Sequence, residues 1–141
     1  MTVRVASFDQ LDPATLYALL RLRVDVFVVE QRSPYPDLDG RDLEPSTRHL
    51  WIGEPPVAYL RLLAEPDGTW RIGRVAVATT ARGTGLAGRL MDAALGLVGE
   101  HECVLDAQTY LVEFYQRYGF QPAGDEFLDA GVPHIPMRRK P

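Results

Sequence analysis

The stretch RIGRVAVATTARGTGLAGRLM, residues 71–91, joins an apolar strand pattern to a glycine-rich turn and then to a helix pattern. Gly83 and Gly85 lack a Cβ, so the backbone there can adopt positive φ and approach a ligand closely. The first N–H groups of a helix have no acceptor within the helix, and the helix dipole adds roughly half a positive charge at that end. The stretch therefore predicts a backbone seat for a pyrophosphate, to which Arg82 adds a guanidinium. A strand-to-helix turn without any ligand is the alternative that the glycines alone leave open.

Gly83, Gly85 and Gly88 also satisfy GxGxxG, the fingerprint of dinucleotide-binding folds. Asp106 lies about where the ribose-binding acid of such a fold is found. In that fold the glycines follow the strand directly, whereas residues 78–81 intervene here, and only 35 residues follow Asp106. A second mononucleotide half needs a longer chain, so dinucleotide binding is the disfavoured alternative.

The composition is that of one small domain covering residues 1–141. A formal net charge of −4 predicts no basic surface for DNA or RNA. Cys103 is the only cysteine, which excludes an internal disulfide, and its apolar neighbours predict a buried hydrophobic side chain. No signal-peptide pattern and no membrane-length apolar run is present. We therefore expect a cytoplasmic protein with no nucleic-acid or membrane partner.

Hydrophobic periodicity predicts a mixed α/β domain. Strands are expected at residues 3–8, 49–52, 57–64, 69–77 and 104–107 and in a final hairpin at 127–137. Helices are expected from Pro13 toward Gln31, from Thr84 to Val98 and from Tyr110 to Tyr118, with a long loop at 32–48. This order predicts a mostly antiparallel central sheet with helices on both faces, in which strands 71–77 and 104–107 are parallel neighbours.

RVAV, RGTGLA and EFYQRYGF, in this order and at these separations, resemble the cofactor core of the GCN5-related N-acetyltransferases, the GNAT superfamily. The family's loop pattern is Gln or Arg, two residues, Gly, one residue, and Gly or Ala, which Arg82, Gly85 and Ala87 satisfy. VFVVEQ, PYPDLDG and GVPHIPM look like the ElaA-like subgroup, so the resemblance covers nearly all of the chain. It implies the acyl-CoA N-acyltransferase fold and transfer of an acetyl group from acetyl-CoA to a primary amine by direct attack.

The resemblance also implies where acetyl-CoA binds. Its pantetheine arm is expected between strands 75–77 and 105–107, splayed apart at that point and paired with the arm through backbone groups. The N–H of Ala76 or Val77 is expected to carry the developing oxyanion. The cofactor-binding residues implied are Val75, Ala76, Val77, Arg82, Gly83, Thr84, Gly85, Leu86, Ala87, Gln108 and Tyr115. Gln108 departs from the family, because many relatives have Asn at this position.

Tyr115 falls where the family places the acid that protonates the departing thiolate. A phenol with an ordinary pKa of about 10 stays protonated at neutral pH and can donate to sulfur. Spacing alone favours another role, because Leu111, Tyr115 and Tyr118 form an apolar stripe typical of a core helix. One tyrosine can serve both roles.

An attacking amine needs a free lone pair, so the reaction also requires a base for its extra proton. The candidates are Glu30, Glu44, His49, Asp106 and His134. We favour Glu30, which follows the first helix and leads into the long loop, and place His134 second because imidazole exchanges protons near neutral pH. No zinc-ligand spacing is present, so no metal is expected.

The long loop contains Asp37, Asp39, Asp42 and Glu44, which either attract a cationic amine or form a solvated surface. The acceptor class predicted is a small molecule or a peptide. Two alternatives remain: a sensor that binds a CoA thioester without catalysis, and an acyltransferase that uses a longer acyl-CoA. A homodimer is possible, since small enzymes of this family are often dimers.

Overall fold

A computed structural model describes all 141 residues. The chain forms one eight-stranded sheet and three α-helices. In chain order the elements are β1 (Val3–Ala6), α1 (Pro13–Val24), β2 (Arg48–Ile52), β3 (Ala58–Ala64), β4 (Trp70–Val77), α2 (Leu86–Val98), β5 (Cys103–Gln108), α3 (Val112–Gln116), β6 (Gln121–Pro122), β7 (Phe127–Asp129) and β8 (Val132–Arg139). None of the helices combines the length and the apolar composition that a membrane span requires.

The strands follow the order β1-β2-β3-β4-β5-β8-β6, and β7 pairs with β8 in a hairpin. All neighbours are antiparallel except β4 and β5, which are parallel as the single intervening helix predicted. The predicted mixed, mostly antiparallel sheet is therefore confirmed. The final hairpin turns through Ala130 and Gly131, also as predicted.

The parallel strands β4 and β5 are paired only where they begin. Trp70 and Arg71 lie opposite β5, and no later residue of β4 does, although β4 continues to Val77 and β5 to Gln108. The two strands thus diverge toward their carboxyl ends. This divergence opens a slot in the sheet, at the edge where α/β folds bind their ligands.

A bulge in β4 accompanies this divergence. The pairing of β4 with β3 shifts between the Tyr59–Ala76 pair and the Arg61–Gly73 pair. Arg74, inside the shifted segment, has a φ of 54°, which a non-glycine residue rarely adopts. An extra residue on one strand bends that strand and ends regular pairing. The bulge therefore turns the second half of β4 away from β5.

Alternation along β3 builds a core on each face of the sheet. One cluster joins Ala58, Leu60 and Leu62 of β3 to Leu90 and Met91 of α2. The other joins Tyr59 of β3 to Leu19 and Leu22 of α1. Helices therefore cover both faces, and β3 is buried along almost its whole length, as expected for a central strand.

The first helix begins as predicted but changes geometry. Asp12 caps it by accepting a hydrogen bond from the Thr15 N–H at 2.7 Å, and Pro13 takes the first helical position. The α-helix ends at Val24 and continues as a π-helical segment, Asp25–Glu30. π-Helical segments are rare in proteins, and those that do occur are often found at functional sites.

The other helices are shorter than the sequence predicted. Helix α2 begins at Leu86 instead of Thr84, because Gly85 has a φ of 80° and cannot belong to a right-handed helix. Helix α3 covers Val112–Gln116 and follows a 3₁₀ turn at Thr109–Leu111. Gly119, with a φ of 91°, follows α3 as the predicted terminating residue.

Candidate active site

Two clefts meet at the slot between β4 and β5. The turn cleft, about 480 Å³, lies over the glycine-rich turn and is lined by Arg82, Gly83 and Gly85. The hairpin cleft, about 170 Å³, lies beside the β7–β8 hairpin and is lined by Asp129 and His134. Both clefts share the residues Phe27, Gln31, Val75, Gln108, Leu111 and Tyr115. A molecule bound in one cleft can therefore reach a molecule bound in the other.

The glycine-rich turn directs a row of unused donors at the turn cleft. None of the N–H groups of residues 83–88 donates to a protein acceptor, because they precede the first hydrogen bond of α2. Gly83 and Gly85 have φ values of 79° and 80°, and an added Cβ at either would meet no protein atom within 4 Å. Glycine is thus required by the backbone conformation, and the space above the turn is left for a ligand.

Arg82 is fixed at the rim of the turn cleft by three hydrogen bonds. Its Nε donates to the Val77 carbonyl at 3.0 Å. Its two terminal nitrogens donate to the two carboxylate oxygens of Glu30, at 2.5 and 2.6 Å. The Thr84 hydroxyl donates to the Ala81 carbonyl at 2.8 Å, which braces the turn itself. The rim is therefore held by a bidentate ion pair between the turn and the π-helical segment.

Tyr115 belongs to the core and to both clefts at once. Its side chain is only 5% exposed, and its ring packs edge-on against Phe114 and Phe120. Burial raises the pKa of its phenol above the ordinary value, so the hydroxyl stays protonated at neutral pH. The hydroxyl has no hydrogen-bond partner in the protein. A phenol that is protonated and free to donate is suited to the work of a general acid.

His134 presents a free nitrogen to the hairpin cleft. Its Nδ1 lies 2.7 Å from the Val132 carbonyl oxygen, and the ring stacks on Phe127. A carbonyl can only accept a hydrogen bond, so in the neutral ring Nδ1 carries the proton and Nε2 the lone pair. His134 lies opposite Gln108 in the β5–β8 pairing, at the slot. Its Nε2 is thus available to take up a proton there.

These features agree with the comparisons with known proteins. Residues 27–141 match the family described as the acetyltransferase (GNAT) domain. The chain belongs to the GNAT family. A UPF0039 protein of Mycobacterium tuberculosis is 52% identical over 135 residues, which cover 92% of this chain and 86% of that protein. The Escherichia coli protein ElaA is 41% identical over 140 residues, which cover 94% of this chain and 92% of ElaA.

Solved structures show the same relationship. The crystal structure of Escherichia coli ElaA aligns with a TM-score of 0.91 and 38% identity over 99% of both chains. An acyl-CoA N-acyltransferase from Pseudomonas aeruginosa aligns with a TM-score of 0.90 and 41% identity, also over 99% of both chains. The predicted GNAT fold and the ElaA-like subgroup are therefore confirmed.

Glu30, the base favoured from the sequence, is engaged elsewhere in this GNAT domain. Its hydrogen bonds to Arg82 hold the pKa of its carboxyl below the ordinary value. A carboxylate in a bidentate ion pair has little tendency to take up a proton. In this arrangement Glu30 acts as the partner of Arg82, and its geometry does not favour the role of base.

The remaining candidates for the base differ in their access to the GNAT site. Glu44 and His49 line neither cleft, and His49 is buried with its Nδ1 at 2.6 Å from the Tyr59 hydroxyl. Asp106 does line the hairpin cleft, but its carboxylate is paired with Arg71 at 3.2 Å. His134 lines the cleft with a ring nitrogen that has no partner, whereas the carboxylate of Asp106 already belongs to an ion pair, so we favour His134.

The acidic residues of the long loop are bound to arginines of the protein, and Asp37 and Asp42 are buried, so these two carboxylates do not form a solvated surface. The short contacts join Asp37 to Arg23 and Arg74, Asp39 to Arg61 and Arg74, Asp42 to Arg23 and Arg61, and Glu44 to Arg41. The network also makes the loop an ordered wall of the hairpin cleft, since Arg61 and Arg74 line it. The pairs of Asp37, Asp39 and Asp42 had no signal in the sequence, because their arginines lie on α1, β3 and β4.

The sequence analysis also missed several lining residues. Phe27, inside the π-helical segment, and Gln31, directly after it, line both clefts. Tyr35 lines the hairpin cleft, and the Arg74 guanidinium lies over its ring, 4.8 Å from the ring centroid. Their only sequence signal was the fading helix pattern before the long loop. Cys103, by contrast, is buried as predicted, and burial raises the pKa of its thiol to about 11. No three His, Cys, Asp or Glu side chains converge as a metal site.

Proposed function

We propose that this GNAT protein is an N-acetyltransferase that moves an acetyl group from acetyl-CoA to a primary amine of a small molecule or peptide by direct attack. One observation carries the proposal: a row of unused N–H groups at residues 83–88 opens on a cleft that leads to Tyr115. A helix start with such donors is suited to a pyrophosphate. The slot between β4 and β5 is suited to the extended pantetheine arm of coenzyme A, which can pair with the edge of a strand.

The residues of the turn cleft fit coenzyme A as the carrier of the acetyl group. Val75, Val77, Gly83, Gly85, Leu86, Ala87, Gln108 and Tyr115 all line it. When bound, acetyl-CoA supplies the thioester carbonyl that the amine attacks. The PaiA N-acetyltransferase of Thermoplasma acidophilum, which was crystallised with coenzyme A, has the same fold with a TM-score of 0.70. At 12% identity it shares only the fold, so the assignment of acetyl-CoA depends on the geometry of this chain.

Backbone direction favours Val77 over Ala76 as the oxyanion donor. The Ala78 N–H donates to the Val57 carbonyl at 2.7 Å, so the Ala78 N–H points toward the β3 side of the strand. Successive N–H groups of a strand point to opposite edges, and the Val77 N–H therefore points into the slot. The Val77 carbonyl points the same way, as its contact with Arg82 indicates. An N–H held rigidly in the slot stabilises negative charge as it develops on a carbonyl oxygen.

We assign the two proton transfers to His134 and Tyr115. The His134 Nε2 takes the extra proton of the amine, which arrives as an ammonium ion. The Tyr115 hydroxyl donates its proton to the departing sulfur as the carbon–sulfur bond breaks, and the proton that the new amide nitrogen loses restores the phenol. The two side chains line the same small cleft. Its volume of about 170 Å³ suits the end of a flexible amine better than a folded protein surface.

Thiol release from acetyl-CoA in the presence of a panel of primary amines tests the proposed function. We expect amine-dependent release and an acetylated product in mass spectra. Gly85→Val, which places a β-branched residue at positive φ, should abolish coenzyme A binding in calorimetry. Gly96→Ala is the matched control, because its Cβ meets nothing and lies far along α2. Binding of coenzyme A without release for any amine indicates a sensor, and the absence of binding overturns the proposal.

A further inference from the structure

We propose that Asp129 selects acceptors that carry a second positive charge, so that the substrate class is a primary amine with a second ammonium group. The proposal rests on the proposed function. It concerns the hairpin cleft, where the amine is expected to bind beside His134. It follows from the balance of charge in that cleft and from the position of Asp129 on the hairpin.

Asp129 is the unpaired charge of the hairpin cleft. The charged residues that line this cleft, apart from histidine, are Arg61, Arg71, Arg74, Asp106 and Asp129. Each arginine is bound to at least one carboxylate, and Asp106 is bound to Arg71. Asp129 is exposed, and its carboxylate forms no ion pair and no hydrogen bond within the protein, so the cleft carries an uncompensated negative charge at this point. A cation is the ligand that such a group attracts.

The hairpin places this carboxylate near the proposed base. Asp129 lies opposite Val132, and His134 lies two residues further along β8. Residues in this diagonal relation share one face of the hairpin, with Cα atoms about 7–8 Å apart. Asp129 and His134 both line the cleft, as expected for residues on the same face of the hairpin. One acceptor can thus present an amine to His134 and a second cationic group to Asp129.

The loop beside the cleft holds the hairpin in position. The Ser33 hydroxyl donates to the Ala130 carbonyl at 2.9 Å, directly after Asp129 in the chain. Ser33 is itself buried and Ala130 is exposed, so this contact is partly sheltered from water. The carboxylate therefore projects from a backbone that is tied to the wall of the cleft. A group on a supported backbone discriminates between ligands better than one on a free loop.

The test compares three acceptors with the same five-carbon chain: 1,5-diaminopentane, 5-aminopentan-1-ol and pentylamine. We expect the wild-type protein to favour the diamine in kcat/KM and Asp129→Asn to lower the diamine-to-aminoalcohol ratio about fivefold, as for a partly exposed ion pair. Asp129→Glu should restore part of the ratio. Asp125→Asn is the matched control, because Asp125 is exposed, lies four residues before Asp129 in the chain and lines neither cleft. Added salt should lower the wild-type ratio.

The outcomes separate this inference from the proposed function. If no amine is acetylated, the proposed function fails. If the aminoalcohol and the diamine react equally well, or if Asp129→Asn leaves their ratio at the wild-type value while turnover persists, the role of Asp129 is overturned. If Asp125→Asn lowers the ratio as much as Asp129→Asn, the effect comes from the general surface charge, and the specific contact is likewise overturned.

Discussion

Arg82 and Glu30 are joined by two hydrogen bonds, of 2.5 and 2.6 Å, although 52 positions separate them in the chain. The pair connects the glycine-rich turn to the π-helical segment, and both residues line the turn cleft. The guanidinium that is expected to meet a pyrophosphate is therefore already bound to a carboxylate. A phosphate must either share Arg82 with Glu30 or displace the Glu30 carboxylate from it.

Glu30→Gln should strengthen the binding of coenzyme A by up to about fivefold. The substitution removes a negative charge beside the expected phosphate site and frees the Arg82 guanidinium, and a surface ion pair of this kind is worth about 1 kcal/mol or less. Isothermal titration calorimetry at low ionic strength measures the change. Glu100→Gln, at an exposed site beyond α2, is the control and should leave the affinity as it is.

Two results would contradict a competition between Glu30 and a phosphate of coenzyme A for Arg82. Weaker binding by Glu30→Gln shows that the carboxylate orients Arg82 for the ligand. A large loss of kcat with unchanged affinity, together with loss of the acidic limb of the pH profile, restores Glu30 as the base and removes His134 from that role.

Tyr115→Phe should lower kcat about a hundredfold with little effect on coenzyme A affinity or on stability. The lost hydroxyl has no protein partner, so its removal leaves no buried group unsatisfied, whereas general acids contribute about 10²-fold or more to rate. Single-turnover acetyl transfer measures the chemical step. Tyr118→Phe, in the turn after α3, is the control, since Tyr118 lines neither cleft. Wild-type single-turnover rates in Tyr115→Phe refute the assignment.

His134→Asn should reduce kcat/KM and remove the acidic limb of its pH profile. The variant lacks the free Nε2 that accepts the proton, while amine binding through the rest of the cleft remains. Profiles recorded with a low-pKa and a high-pKa amine separate titration of the substrate from titration of the enzyme. His101→Asn, which is exposed and outside both clefts, is the comparison. Retention of the limb in His134→Asn excludes His134 as the base.

Gly88→Ala should destabilise the fold by about 1–2 kcal/mol, because the new Cβ would clash with the Tyr118 hydroxyl oxygen. In a Tyr118→Phe background the clash disappears, and the same substitution should become neutral or stabilising, since alanine is the better helix former. Urea unfolding of the four proteins in this cycle measures both effects. Gly96→Ala, with nothing within 4 Å, should be stabilising alone. An equal loss in both backgrounds rules out the clash as the cause.

Buried His49 should make the fold lose stability as the pH falls from about 7 toward 5. Burial lowers the pKa of its ring in the folded protein. As the pH falls, the His49 ring therefore takes up a proton in the unfolded chain, where its pKa is near 6.5, before it does so in the folded protein. The stabilisation is present above the unfolded pKa and is lost below it, by at most about 1.4 kcal/mol per pH unit. Unfolding in urea at a series of pH values measures this slope.

His49→Gln should flatten the stability profile between pH 7 and 5, while His101→Gln should retain the wild-type slope. A further loss below about pH 4 is expected in all three proteins, because ion pairs lower the pKa of Asp39 and Asp42. These carboxylates stabilise the fold above their ordinary pKa and stop doing so as they become protonated. A His49→Gln profile identical to wild type shows that another group is responsible.

The local features of the site were predictable from the sequence. Positive φ at Gly83 and Gly85 follows from sterics within the turn itself. The cap by Asp12 and the start at Pro13 likewise involve only neighbouring residues. The parallel pairing of β4 and β5 followed from the single helix between them, which restricts the topology. The position of Tyr115 at the slot came from the family resemblance, since spacing alone indicated only the core.

The sequence by itself thus determined the glycine-rich turn, the order of the elements and the GNAT membership, because backbone sterics and hydrophobic periodicity act over a few residues. Only the tertiary structure decided which charges pair. Arg82 is bound to Glu30, and three loop acids, Asp37, Asp39 and Asp42, are bound to arginines of α1, β3 and β4. This pairing leaves Asp129 and His134 free in the hairpin cleft. The reason is that a charged side chain has many oppositely charged groups in the chain as possible partners. Its actual partner depends on which groups the packed strands and helices bring within hydrogen-bonding distance.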